Sequence, residues 1–227
     1  MNMMKKVLPA LVLIVLLGGC ALQIRTTAFL DHSGGSSVLT KGASIAVLEN
    51  AQAANPILDR EIKGKIERLL VKEGYRLDTS DRARYLLSYS YGIASGLRNS
   101  TVTSYAPPQT QIITVPDGKG GVTTQAIMTP GAATIIPTVS VEYTKQLILK
   151  VMEAAKGTAD GRKERVVWMG ETLGMDPSSD LRSDIDYLLV VAFLHFGEDT
   201  GKQISVSIDR GDSAVEDLRR GFGPLHR

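Results

Sequence analysis

"ASIAVLEN" at residues 43–50, followed by "NPILDREIKGKIERLLVKEG" at residues 55–74, places a buried strand directly before a strongly marked helix. The first stretch is apolar on both of its alternating sides, which is typical of a strand covered on both faces. In the second, Asn55 is a favourable helix cap, Pro56 suits the first helical position, and Gly74 supplies a left-handed stop. The predicted helix carries one apolar stripe, made of Leu58, Ile62, Ile66, Leu69 and Leu70. Its opposite side is predicted to carry two ion pairs, Asp59 with Lys63 and Glu61 with Lys65.

The rest of the chain adds strands and helices in an order that defines the fold class. Alternating apolar residues predict further strands at residues 84–93, 140–154, 164–172 and 202–208. A second helix is predicted at 176–197, and a short one starts at a capping box of Ser213 and Glu216 and ends at Gly221. This order predicts an α+β two-layer sandwich, in which two main helices pack on one face of a mixed β-sheet.

The aromatic residues of these strands have a packing interpretation and a binding interpretation. Tyr85, Tyr89 and Tyr91 share one face of the strand at 84–93, because alternate residues of a strand point to the same side. We favour cross-strand packing, with a ligand-binding platform as the alternative. Trp168, the only tryptophan, is predicted to pack against the helices.

Residues 95–141 differ in composition from the rest of the chain. They hold three charged residues and five prolines, and "QIITVPDGKGGVTTQAIM" at 111–128 has strand-like flanks around a glycine-rich turn. We expect an extended, mobile insertion that contains a hairpin. The prolines are predicted to exclude a long regular sheet there.

The amino terminus has the features of a secretory signal. Lys5 and Lys6 precede an apolar run of 11 residues at 7–17, which is too short to cross a bilayer. The run ends in Leu17-Gly18-Gly19-Cys20, which resembles the bacterial lipobox. The resemblance implies a signal peptide at 1–19, a diacylglyceryl group on the Cys20 thiol and a fatty acid such as palmitate on its new amino group, a combination that anchors a protein stably.

The composition of the residues after Cys20 limits the classes of protein to which the chain can belong. Ala21 stands where an aspartate would resemble an inner-membrane retention signal, so we expect the outer membrane, facing the periplasm. Without its leader the chain carries equal numbers of basic and acidic residues and no second cysteine. A neutral domain lacks the basic field of a nucleic-acid-binding protein, and disulfides and thiolate metal sites are excluded. We predict a lipidated tether at 20–37, a single domain at 38–221 and a tail at 222–227.

No combination of residues in the sequence indicates an enzyme. The chain has no Gly-x-Ser-x-Gly elbow and no His-Glu-x-x-His, and its three histidines, His32, His195 and His226, are placed in the tether, at a helix end and in the tail. Four aspartates surround the start of the second main helix: Asp176, Asp180, Asp184 and Asp186. A Ca²⁺ site is the alternative reading, but the spacing does not match an ion loop and acids at a helix start suit its dipole. We predict no catalytic residue, no metal and no cofactor, and Cys20 as the only modified site.

The combination of "NPILDREIKGKIERLLVKEGY", "ARYLLSYSYG" and "RVVWMGETLG" resembles a family of small Gram-negative lipoproteins of unknown function. The strand order is also similar to that of the TolB amino-terminal domain, LpoB and CsgG. These motifs are structural, so the resemblance implies a fold and a cellular address and carries over no catalytic residue.

The sequence therefore predicts an outer-membrane-anchored periplasmic lipoprotein with a non-enzymatic binding or assembly role, using the edge of its sheet or the insertion. The alternative is an accessory subunit of an envelope machine, either an activator of a cell-wall synthase or a component of a secretion pore. The tether reaches at most about 60 Å, which disfavours the activator. Polar and apolar side chains mix on both faces of residues 109–115, which disfavours the pore.

Overall fold

The computed structural model describes residues 21–34, 39–116, 121–154 and 165–221. The predicted signal peptide at 1–19, the predicted lipidation site Cys20 and the tail at 222–227 lie outside the described residues.

The described chain contains nine strands, three α-helices and one short 3-10 helix. The strands are β1 (Leu22–Leu30), β2 (Ser44–Val47), β3 (Arg76–Leu77), β4 (Tyr85–Ala106), β5 (Gln109–Pro116), β6 (Val122–Thr129), β7 (Ala132–Glu153), β8 (Arg165–Asp176) and β9 (Ile204–Ile208). The helices are α1 (Pro56–Lys72), α2 (Leu181–Leu194) and α3 (Ser213–Arg220), and the 3-10 helix is His32–Gly34.

Seven of the strands form one mixed sheet in the order β3-β2-β4-β7-β8-β1-β9, and β5 pairs with β6 in a separate sheet. Strand β2 runs parallel to both β3 and β4, whereas β8 is antiparallel to β7 and to β1, and β1 is antiparallel to β9. The predicted α+β class is confirmed. Inward side chains of the sheet and the apolar stripes of α1 and α2 form one core.

Local signals account for the bounds of α1. The Asn55 side chain accepts hydrogen bonds from the backbone N–H groups of Ile57 and Leu58, both at 3.1 Å. Gly74 has a φ of 90°, so the left-handed stop is present just beyond the helix. Helix α2 begins later than predicted, at Leu181, because β8 extends to Asp176 and Asp180 caps the helix.

Strand β1 corrects the predicted tether at 20–37. Residues 22–30 pair with β8 on one side and with β9 on the other, so they lie inside the sheet. Its inward positions are Ile24, Thr26 and Ala28, all nearly inaccessible to solvent. Only the first of these is strongly apolar, so the period-2 pattern of a strand was too faint to recognise.

The chain divides into two compact units, where a single domain at 38–221 was predicted. Unit 1 takes in the described residues up to Ala94 and from Tyr143 onward, and unit 2 is Ser95–Glu142. Unit 2 corresponds to the insertion predicted at 95–141, and it contains the β5–β6 hairpin. Its prolines do not exclude long strands, because four of them stand at strand ends or between strands and only Pro137 lies inside β7.

Trp168 lies in the core of unit 1, in β8. Its indole is 1% exposed, its Nε1 donates a hydrogen bond to the backbone oxygen of Glu198 at 2.9 Å, and its ring centroid is 4.7 Å from that of Phe196. The indole therefore packs against the residues that follow α2, close to where the sequence placed it.

One end of the seven-stranded sheet is defined by the residues at the ends of three of its strands, and we call it the root end. Ile24 and Lys145 both pair with Gly174, and one step further along the strands Tyr143 pairs with Asp176 and Leu22 with Ile208. The root end therefore carries the first residue of β1, the last residue of β8 and the point at which β7 enters unit 1.

Candidate functional site

The four aspartates predicted around the start of α2 have separate structural roles. Asp176 is the last residue of β8, and Asp180 caps α2 by accepting a hydrogen bond from the Ser183 N–H at 3.2 Å. Asp184 and Asp186 lie in the first turns of the helix. Within the described ranges, no group of three or more His, Cys, Asp or Glu side chains is placed to hold a metal ion.

A buried lysine on the sheet contacts two of these aspartates. Lys145 of β7 is 1% exposed, and its Nζ donates hydrogen bonds to Asp176 Oδ1, at 3.1 Å, and to Asp184. Burial raises the pKa of Asp184, and its hydrogen bond with Asp176 adds to the effect. Burial also acts to raise the pKa of Asp176, but hydrogen bonds from Lys145 and from the Ser178 N–H outweigh it and lower that pKa. Lys145 therefore ties β7 to the start of α2.

A second buried lysine ties α1 to α2. Lys65 Nζ lies 2.7 Å from Glu61 Oε1 and 2.6 Å from Asp186 Oδ1, and the lysine side chain is 2% exposed. Arg219 of α3 reaches the other oxygen of Asp186 at 3.2 Å, and Arg182 reaches the other oxygen of Glu61 at 2.8 Å. The predicted Glu61–Lys65 pair is present, but it lies inside the molecule and not on a solvent-facing side.

An open pocket of about 450 Å³ is lined by this second cluster and by Asp180 and Ser183. Its two arginines and one lysine each contact a carboxylate within 3.2 Å. The three cations of the lining match its three carboxylates in number, and their contacts join α1, α2 and α3.

His195, His32 and Tyr89 also have partners within the fold. His195 Nδ1 lies 3.1 Å from Glu198 Oε2, at the carboxyl end of α2 where it was predicted. His32 was placed in the tether, but it follows β1 and its Nε2 lies 3.1 Å from Asp199 Oδ2. His226 lies outside the described residues. Tyr89 is buried and donates to the Asp59 backbone oxygen at 3.3 Å, and burial raises its pKa, so packing describes this face better than a ligand platform.

Unit 2 presents the candidate binding surface. We call residues 95–106 of β4 together with residues 132–142 of β7 the ribbon, since these strands are neighbours in the sheet order. Arg98 contacts Glu142 at 3.1 Å, and the Ser100 and Thr138 hydroxyls are 2.7 Å apart. These four even-numbered side chains therefore point to one face, which we call the hydroxyl face.

Odd-numbered residues of the ribbon point to the other face, which we call the apolar face. Five of the seven exposed large apolar side chains in the ribbon belong to it: Leu97 (75% exposed), Tyr105 (64%), Ile135 (68%), Val139 (65%) and Val141 (46%). The two charged residues of the ribbon, Arg98 and Glu142, lie on the hydroxyl face. The ribbon is thus a two-faced strand pair whose apolar face is open to solvent, a surface typical of binding sites.

The outer edges of the ribbon are open as well. Strand β2 pairs with β4 only at residues 85–87, and β8 pairs with β7 only from Tyr143 onward. Within the described part of the chain, neither edge of the ribbon therefore has a strand partner. Charged residues and prolines usually protect the exposed edge of a sheet. The ribbon has one proline, Pro137, and its two charged residues, Arg98 and Glu142, contact each other. The edges of the ribbon therefore have little of this protection.

Sequence reasoning identified residues 95–141 as distinctive but missed the apolar face. The distinctive signal in the sequence is the small number of charged residues. The alternation of apolar and polar residues along the two strands can be recognised only once the pairing of β4 with β7 is known. The two buried lysines were also missed. Lys145 had a signal, because it stands among alternating apolar residues of its strand.

Comparison with solved structures finds distant likenesses to bacterial proteins. A PDZ domain protein from Parabacteroides distasonis aligns with a TM-score of 0.42 and 11% identity, over 88% of this chain and 42% of that one. A PelC dodecamer from Paraburkholderia phytofirmans aligns with a TM-score of 0.36 and 15% identity, over 74% and 94% of the two chains. A DUF4136 family protein from Bacteroides thetaiotaomicron aligns with a TM-score of 0.36 and 10% identity, over 87% and 92%.

These likenesses have limits that follow from their numbers. This chain spans less than half the length of the PDZ domain protein. With TM-scores this low and identities this small, none of them assigns a family or a function. No protein-family model matches the chain, and no curated protein matches its sequence. The resemblance to the TolB amino-terminal domain, LpoB and CsgG stays a prediction. Among the described residues, no helix is long and apolar enough to span a bilayer.

Proposed function

We propose that this chain is a lipid-anchored, non-enzymatic protein of the bacterial outer membrane, facing the periplasm, and that it binds an envelope component through the ribbon. The observation that carries the proposal is the exposed apolar face of the ribbon, with five large side chains that are 46% to 75% exposed. Clusters of large exposed apolar side chains on folded domains often mark binding sites.

The anchor at Cys20 is the second part of the proposal. It is supported by the order of features in residues 5–20: two lysines, a short apolar run, two glycines and then the only cysteine of the chain. Two or more acyl chains at one residue hold a protein stably at a bilayer. Mass spectrometry of the protein extracted from cells is expected to find an amino terminus at Cys20 with acyl chains attached. An intact leader or an unmodified cysteine would contradict the anchor.

Photo-crosslinking in cells tests the ribbon as the binding surface. A crosslinking side chain at Ile135, on the apolar face, is expected to form covalent adducts with an envelope component. The matched site is Thr134, the adjacent residue on the hydroxyl face of the same strand, and it is expected to form few. Equal yields from the two sites would show that the apolar face is not the binding surface.

A deletion separates binding from folding. Residues 99–138 are replaced by Asn-Gly, a pair that favours a tight hairpin turn between antiparallel strands. The buried core of unit 1 is formed by residues outside this segment, so its circular dichroism spectrum and melting transition are expected to persist. The partner that crosslinks to Ile135 in the intact chain is expected to co-purify with the intact chain and not with the deletion variant. Unfolding of the deletion would refute the assignment of the ribbon as a separable binding element.

A further inference from the structure

The structure gives the predicted lipid anchor a defined position on the fold. Strand β1 begins at Leu22, so a single residue, Ala21, separates it from Cys20. Two residues of extended chain reach only about 7 Å. Lipid chains on Cys20 would therefore hold the root end of unit 1 directly at the membrane surface. This step rests on the anchor that we propose above.

The ribbon leaves unit 1 at the same end of the sheet. Tyr143, the first unit 1 residue of β7 after the ribbon, pairs with Asp176, and Leu22 lies two strands away in the same row. Neighbouring strands are about 4.8 Å apart, so Leu22 and Tyr143 are separated by about 10 Å across the sheet. Tyr143, the unit 1 residue to which the ribbon is joined in the chain, therefore lies close to the start of β1 at the root end.

The apolar face of the ribbon is apolar throughout on β7 and mixed on β4. Its β7 half carries Ala133, Ile135, Pro137, Val139 and Val141, whereas on β4 Leu97 and Tyr105 share the face with the uncharged polar residues Ser95, Asn99, Thr101 and Thr103. Both charged residues of the ribbon lie on the opposite face. We propose that the apolar face lies in the interfacial layer of the membrane that carries the anchor, with the hydroxyl face toward the periplasm. A two-faced element with apolar side chains on one side is the form that lies in a membrane interface.

The open edges of the ribbon favour the interface over the hydrocarbon core. Backbone N–H and C=O groups without a strand partner are strongly disfavoured in hydrocarbon, but headgroups and water can satisfy them at the interface. A lipid surface is favoured over a second copy of the chain because the anchor keeps that surface within reach at a high effective concentration. A second copy would cover the apolar face only if the protein were present at sufficient density in the same membrane.

Site-specific fluorescence in reconstituted vesicles tests the inference with the full chain. The acylated Cys20 has no free thiol, so a single introduced cysteine is the only site that a thiol-reactive fluorophore labels. The lipoprotein is purified in detergent and reconstituted into vesicles of phosphatidylethanolamine and phosphatidylglycerol. Val139→Cys reports on the apolar face, and the adjacent Ser140→Cys is its matched control. Leu97→Cys and Ser100→Cys form a second pair on the other strand.

The expected result is a blue shift of emission at residues 139 and 97, with loss of intensity when lipids brominated near the headgroup are included. Labels at residues 140 and 100 are expected to keep an aqueous spectrum and full intensity. Equal behaviour of the two faces overturns the inference. Labels on the apolar face that are shielded from iodide but not quenched by brominated lipid also overturn it, and indicate a covering protein such as a second copy.

Flotation of the vesicles separates the failure of this inference from the failure of the anchor. Protein that floats with the vesicles but shows no quenching at residue 139 leaves the anchor in place and refutes only the membrane contact of the ribbon. Protein that does not float refutes the anchor, and the inference falls with it.

Discussion

Replacing Lys65 with methionine tests whether the buried charges hold α1 against α2. Lys65 Nζ contacts Asp186 at 2.6 Å and Glu61 at 2.7 Å, and all three side chains are at most 16% exposed. Removal of one member of a buried ion pair costs about 3 to 5 kcal/mol. Arg219 and Arg182 still contact the other oxygens of Asp186 and Glu61, but the two oxygens that face Lys65 lose their buried cation. In a chain of this size, each kcal/mol lowers the melting temperature by roughly 2 to 4 °C. Lys65→Met is therefore expected to lower it by about 6 to 20 °C.

Lys63→Met is the matched control, two residues earlier on the same helix. Lys63 is 26% exposed, and its partner Glu49, at 3.4 Å, is 84% exposed. Ion pairs of this kind contribute about 1 kcal/mol at most, so a shift of no more than about 4 °C is expected. Thermal unfolding followed by circular dichroism at 222 nm measures both variants. If Lys65→Met shifts the transition no further than Lys63→Met, the cluster does not stabilise the packing of the two helices.

Three further outcomes follow from local geometry. Gly170→Ala brings a Cβ against the ring of Trp168. In urea titrations it is expected to lower the free energy of unfolding by about 1 to 3 kcal/mol and to shift tryptophan emission to the red. The control Gly92→Ala, whose Cβ would have no atom within 4 Å, should leave the free energy of unfolding and the emission nearly unchanged. Asn55→Ala removes a helix cap and is expected to cost about 1 kcal/mol in the same assay. Hydrogen bonds from a neighbouring serine and an arginine lower the pKa of Asp31 from 3.8 to about 2, so its contribution to stability is present above about pH 4 and is lost as the pH falls toward 2. The difference in melting temperature between the natural protein and Asp31→Asn should therefore shrink over that interval.

The parts of the fold that the sequence predicted well are those with local signals. Helix α1 was bounded correctly because its cap, its first-turn proline and its stop glycine act within a few residues. Strand β1 was read as a tether because two of its three inward positions are Thr26 and Ala28, which carry little hydrophobic signal. Its inclusion in the sheet depends on β8 and β9, which lie far along the chain.

The candidate sites depended on contacts that no local pattern reveals. Lys65 meets a carboxylate 121 positions away, so its sequence neighbours described only the pair with Glu61. The apolar face of the ribbon depends on the pairing between two strands that are separated by a hairpin. Long-range pairing of this kind is set by the whole fold rather than by local propensity.

The position of β1 bears on the functions that the sequence leaves open. The predicted tether at 20–37 reaches at most about 60 Å, and even that length disfavours an activator of a synthase in the opposite membrane. With β1 starting at Leu22, the proposed anchor at Cys20 leaves a reach of about 7 Å. Unit 1 would then be unable to leave its own membrane surface, and any protein partner would have to come to that surface. This constraint favours a role at the anchoring leaflet over one that bridges two membranes, and it gives the ribbon a lipid surface within its own range.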